Sequence, residues 1–145
     1  MSAFVSAGRI LFAILFIVSG ALHLFDLAGT TAVIAAKVAT PAAVAEYATQ
    51  LEGVSGMPVA RLLAIVAGAL ELIGGVALAV NFGARFFAGL LILVLAAATF
   101  HFHDFWNQPW PDARADLMLT LKNLALIGGV LMIVGTGATP RPVLH

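Results

Sequence analysis

The chain contains no cysteine, and only 10% of its residues are charged. Without cysteine, disulfides, a thiol–disulfide relay, thiolate-held zinc and iron–sulfur clusters are excluded for this chain. The seven basic and seven acidic residues cancel, and no basic run stands out. Nothing here would hold a phosphate backbone, so no nucleic-acid partner is expected. No heme or flavin motif is visible. The Gly-Gly pairs at Gly74-Gly75 and Gly128-Gly129 lie inside apolar stretches with no strand before them, so they read as packing rather than phosphate loops.

What fills the sequence is hydrocarbon: 62% hydrophobic residues and a mean hydropathy of +1.08. Ordinary soluble domains carry about 25% charged residues. A chain of 145 residues cannot hide this much apolar surface from water, so its solvent is a lipid bilayer. Four apolar segments, about 8–26, 58–80, 85–103 and 115–136, each approach the roughly 20 residues a hydrocarbon core demands. The expectation is all-α: an integral membrane four-helix bundle forming one transmembrane domain over 1–145.

Arg9 ahead of an apolar run raises a cleaved signal peptide, but His23-Leu-Phe-Asp26 is a poor cleavage site, and a retained helix is expected. About 33 residues separate the first two segments, too many for a plain turn. Thr40-Pro41 suits a helix start, and Val44, Tyr47, Ala48 and Leu51 repeat at helical spacing. They predict a short amphipathic interfacial helix over about 41–52. Gly53 to Pro58 breaks it. Asn81 to Arg85 is tight and makes segments two and three antiparallel neighbours. Trp106 and Trp110 with the nearby phenylalanines suggest an aromatic belt. Gly135 to His145, with Pro140 and Pro142, reads as a frayed tail.

Leu72-Ile-Gly-Gly-Val76 recurs as Leu126-Ile-Gly-Gly-Val130, and His23-Leu-Phe-Asp26 as His101-Phe-His-Asp104. Two parallel helix-pair repeats, or chance recurrence in an apolar chain, explain this equally well. Lys/Arg counts on the two sides tie. Arg9, Arg85 and Arg141 lack acidic neighbours, which tilts the termini toward the cytoplasm.

Glu71 is the residue that needs explaining. It stands near the middle of the second segment, roughly 18 Å inside it. Ala64, Gly68, Glu71, Gly75 and Ala79 share one helix face, a small-residue stripe that turns Glu71 into protein. Intramembrane carboxylates are costly and usually functional, though a structural hydrogen bond is the plainer alternative. Lys122 lies about 8 Å inside the fourth segment; its face with Ala125 and Gly129 predicts an inward ammonium, and snorkelling to the interface is the rival. His23 and His101 are placed within a turn of the mouth where segments two and four begin. The expected site is thus a polar pocket with Glu71, His101 and Lys122 as catalytic groups and Asn123 and His23 as ligand-binding groups. His103 is expected on the opposite face and exposed. The His-x-x-Asp pairs have a spacing that metal sites use, but lie at the rim, and no metal is expected.

Several of these stretches together resemble the DoxX family of small four-helix bacterial membrane proteins. They are Gly8-Arg-Ile-Leu11, Val18-Ser-Gly-Ala-Leu-His-Leu24, Glu71-Leu-Ile-Gly-Gly-Val-Ala-Leu78, Gly83 with Arg85, Phe100-His101 and Lys122-Asn123-Leu124. The resemblance implies a bundle in the bacterial cytoplasmic (inner) membrane and a role as an oxidoreductase component. Some relatives are membrane subunits of a thiosulfate:quinone oxidoreductase, and others associate with enzymes of oxidant or thiol defence. Three functions follow as expectations. The first is a redox component whose pocket binds a quinone or similar carbonyl. The second is a non-enzymatic anchor or assembly subunit that docks a partner, and the third a small proton-coupled carrier. Besides lipid, a partner subunit or a homo-oligomer is expected.

Overall fold

The computed structural model describes residues 3–136, which are helical almost throughout with no strand among them. Four long apolar helices are α1 (Ala3–Phe25), α4 (Val59–Ala79), α5 (Ala84–Phe102) and α6 (Ala113–Thr136). Two shorter ones, α2 (Leu27–Lys37) and α3 (Ala45–Ser55), lie in the long connection between α1 and α4. At 1.5 Å per residue the long helices reach about 30 Å, the thickness of a hydrocarbon core. Leu11, Phe86 and Met132 on their outer faces are at least two-thirds exposed. Water would not tolerate such a surface, whereas acyl chains would. The protein is an all-α, multi-pass membrane bundle.

The tightest contact is between α1 and α4. A Cβ on Gly20 would lie 2.5 Å from both the Gly68 carbonyl oxygen and the Leu72 nitrogen, and one on Gly75 would lie 2.9 Å from the Ile17 nitrogen. The two backbones therefore touch, as membrane helices do when small residues face each other. Ala64, Gly68, Glu71 and Gly75 of the anticipated stripe are all buried. Toward the termini the contact grades into an apolar core of Ala13, Phe16, Leu78, Ala88, Leu91 and Val130. The α4–α5 turn is tight because Asn81 and Gly83 adopt left-handed conformations, with φ of 60° and 53°.

Three boundaries differ from expectation. α1 begins at Ala3, not near residue 8, because Arg9 is buried instead of marking the interface. Its guanidinium donates to the side-chain Oδ1 of Asn81 at 3.0 Å, which fastens α1 to the α4–α5 turn. α2 was missed altogether. The signal for it was Asp26, whose carboxylate accepts from Gly29 N at 3.0 Å as an N-cap. Gly29 and the β-branched Thr30, Thr31, Val33 and Ile34 dilute the helix propensity that follows. The interfacial helix runs from a 3-10 turn at Ala42–Val44 through α3, three residues past the expected end at 52. Of the anticipated tail, Gly135 and Thr136 continue α6, and residues 137–145 lie outside the described ones.

α6 packs mainly on α5. Gly129 lies against the Phe12 ring, while Gly128 faces open space. The second Gly-Gly pair thus makes a looser contact than the first, where Gly74 meets Leu91 and Gly75 meets α1.

Gly20→Ala should lower the melting temperature in detergent micelles, by the equivalent of about 1–3 kcal/mol, because the obstacle is backbone that cannot yield. Gly89→Ala on α5 meets nothing within 4 Å and should match or slightly exceed wild type. Circular-dichroism melts of the two variants check the packing.

Candidate functional site

Because α1 and α4 run antiparallel in a fixed register, Gly68 lies against the Cβ of His23 and Gly20 against Glu71. His23 is therefore level with Glu71, and not within a turn of the mouth as the sequence suggested. The sequence reading let one helix cross the whole bilayer, but α1 ends part-way up, and after a break at Asp26 the chain continues as α2. α2 packs along α4.

His23 Nδ1 and Glu71 Oε2 approach to 3.1 Å. They are in ion-pair contact but not lined up as a hydrogen bond, so both shielded atoms retain hydrogen-bonding capacity. Glu71 is only 8% exposed. A lone carboxylate so deeply buried costs several kcal/mol, and His23 offsets part of that.

This pair lies at one end of a cavity of about 650 Å³ lined by residues of α1, α2, α4 and α5. His101 also lines it. Counting from Leu91, which meets Gly74, His101 lies about 10 Å nearer the mouth than Glu71. The remaining walls are mostly apolar: Val33, Ile34 and Val38 from α2, Leu63, Val66 and Leu70 from α4, and Val94, Ala97 and Ala98 from α5. Asp26, which the sequence marked only through its His-x-x-Asp spacing, and Thr30, which it did not mark, are further polar lining residues. Thr30 Oγ1 donates to the His23 carbonyl at 3.2 Å, which ties the start of α2 to the end of α1.

The structure thus gathers Glu71, His23 and His101 and leaves Lys122 and Asn123 elsewhere. Asn123 Nδ2 donates to Thr99 Oγ1 at 2.9 Å, on the α5 side of α6. Lys122, one residue and about 100° away, is exposed, as is Ala125 of its expected inward face. The anticipated inward ammonium is corrected by this rotation: Asn123, not Lys122, makes the contact within the bundle.

A separate polar group occupies the rim. Lys37 Nζ lies 3.6 Å from Asp104 Oδ1, joining the end of α2 to the chain after α5. Gln108 Nε2 donates to Asp104 at 3.0 Å and also to Asp116. His103, expected to be exposed, is half-buried with Nδ1 3.5 Å from Asp116 Oδ1. Phe100, Phe105 and Trp106 stack edgewise or tilted nearby. Among the described residues no three His, Cys, Asp or Glu side chains gather as a metal site requires.

The class this defines is a helical membrane protein with a buried carboxylate beside a part-exposed imidazole at the end of an apolar cavity. The chain matches DoxX over residues 4–104, and it belongs to that family. It is also 33% identical over 79 residues to the Surfeit locus protein 4 homolog of Schizosaccharomyces pombe. That stretch is 53% of this chain and 24% of the relative, so the chain matches about a quarter of that protein's length. No solved structure matches.

Replacing Lys122 by leucine should leave the melting temperature unchanged or raise it, since an exposed ammonium within an apolar helix is lost. Asn123→Ala should lower it by the equivalent of about 1 kcal/mol through the orphaned Thr99 hydroxyl. The reverse order would mean that Lys122, not Asn123, makes the internal contact.

Proposed function

We propose that the protein is a membrane redox component that holds a quinone, or a similar lipophilic carbonyl compound, in this cavity. The observation that supports it best is the placing of the His23–Glu71 pair at the inner end of apolar walls. The volume suits a small organic ligand, whose pockets run from about 300 to 1,000 Å³. Apolar walls take the hydrocarbon part, and a few convergent polar groups orient the head.

When bound, a quinone supplies a two-electron acceptor whose oxygens take up protons. His23 donates a hydrogen bond toward a carbonyl oxygen, and Glu71 holds the proton that His23 gives up or takes back. His101, nearer the mouth, is placed to meet a second oxygen or to pass protons toward the rim. Lys122 and Asn123 have no part in this scheme as one chain is folded. Electrons come from a partner protein. In this reading the protein belongs to the bacterial cytoplasmic membrane, with its termini cytoplasmic and its mouth outward.

A second reading, an anchor or assembly subunit, has its own support. α3 is exposed along most of its length, with Tyr47, Leu51 and Val54 facing out. Glu52 Oε1 accepts from Val59 N at 2.8 Å and holds that helix at the start of α4.

In nanodiscs, Glu71→Gln and His23→Phe should each weaken binding of a benzoquinone probe at least tenfold, while melting temperatures stay within a few degrees of wild type. Wild-type affinity in both variants refutes the redox-site reading. Tyr47→Ala with Leu51→Ala should leave quinone binding intact; loss of a stoichiometric co-purifying protein in that variant favours the assembly reading. Orientation is read separately. With no native cysteine, single cysteines at Phe82 and Gly53 should react with impermeant maleimide from the cytoplasmic and outer sides respectively.

A further inference from the structure

The cavity has an unusual doorway. Val33 of α2 and Leu63 and Val66 of α4 line it, yet they are 54%, 43% and 53% exposed. They therefore form the edge of an opening and not a sealed wall. Leu63 and Val66 lie four and seven residues into α4, about 6–10 Å below its start. What faces the opening at that depth is acyl chain. Ala97 and Ala98 on α5 keep the opposite edge low. At the aqueous end, by contrast, the Lys37–Asp104 contact draws the end of α2 toward the chain after α5. The open side of the cavity is its lipid side, and the polar atoms left unaligned, Glu71 Oε2 and His23 Nδ1, lie at its far end.

Resting on the reading of this cavity as a ligand site, we propose that the ligand enters sideways from the bilayer, through a slot bounded by α2 and α5 across the face of α4. It keeps a hydrocarbon tail in that slot while its head meets His23 and Glu71. The substrate class is then a neutral lipid with a hydrogen-bonding head and a single alkyl or polyprenyl tail, not a water-soluble metabolite. Two features argue for this occupant. The slot walls offer hydrocarbon and no charge at the depth where a tail would lie. His23 and Glu71 set hydrogen-bonding groups at the far end of the slot, which suits a head that hydrogen-bonds.

The test uses the full chain in nanodiscs and two probes with the same benzoquinone head, one bearing a decaprenyl-length tail and one bearing none. Wild type should bind the tailed probe at least tenfold tighter than the tail-less one. Val66→Trp and Ala97→Trp place an indole in the slot at positions already exposed, so folding should survive. Each should cost the tailed probe tenfold or more and leave the tail-less probe within twofold. If the tailed probe binds both variants as it binds wild type, or both probes weaken alike, sideways entry is overturned while ligand binding stands. If neither probe binds wild type, the ligand reading fails along with it. A measurement that needs no variant runs beside this one: a tail-end diazirine should label peptides of α2, α4 and α5, and labelling confined to the rim after α5 overturns the proposal.

Discussion

The backbone contact between α1 and α4 is the constraint on which everything else depends. Gly20 leaves no room for even a methyl group against Gly68 and Leu72, so the two helices have one separation and one register. That register sets His23 beside Glu71 at 3.1 Å. Any side chain larger than hydrogen at Gly20 would push the helices apart and open the pair. The same closeness shields Glu71 and makes a partner for it necessary. Packing and electrostatics here are one problem: the glycines that allow the contact also create the burial that His23 relieves.

The second constraint is the break at Asp26. Non-helical backbone at membrane depth needs its polar groups satisfied from within the protein. Asp26 accepts from Gly29 N, Thr30 Oγ1 reaches the His23 carbonyl, and Thr31 Oγ1 reaches the Leu27 carbonyl. With those bonds made, α2 can leave the line of α1 and lie along α4 as a separate wall. A straight helix through this region would bring no such wall, and the cavity would be a shallow groove. The helix propensity lost at Gly29 and the β-branched residues is thus tied to the presence of a site.

How far the sequence could be read follows from these two constraints. Glu71 and its stripe were legible because period 3.6 is sharp where small residues and a carboxylate stand against large apolar ones. The four long helices were legible from length and hydropathy alone, and the short exposed one from its spacing. His23's depth was not. It depends on α1 starting six residues before Arg9 and stopping short of the far interface, and Arg9 looks like an interfacial charge until Asn81 is known to receive it. Lys122 and Asn123 were not separable either. A helix apolar all round has no strong face, so two adjacent polar residues give no hint of which one turns inward. The α6–α5 contact decides it, and that contact is made by Asn123 and Thr99, 24 positions apart in the chain.

The outward turn of Lys122 has a chemical consequence for the cavity. Had its ammonium entered beside His23 and Glu71, the polar end would have held a further charged group. With Lys122 outside, and Asp26 engaged in capping α2, what remains at the inner end is an imidazole and a carboxylate 3.1 Å apart. Such a pair can donate or accept a hydrogen bond. Surrounded by Leu70, Val94 and their neighbours, it lies where an ion would have to shed its hydration to enter, which is why the proposed ligand head is polar yet uncharged. The register of α6 therefore shapes the polarity of a cavity that α6 does not line.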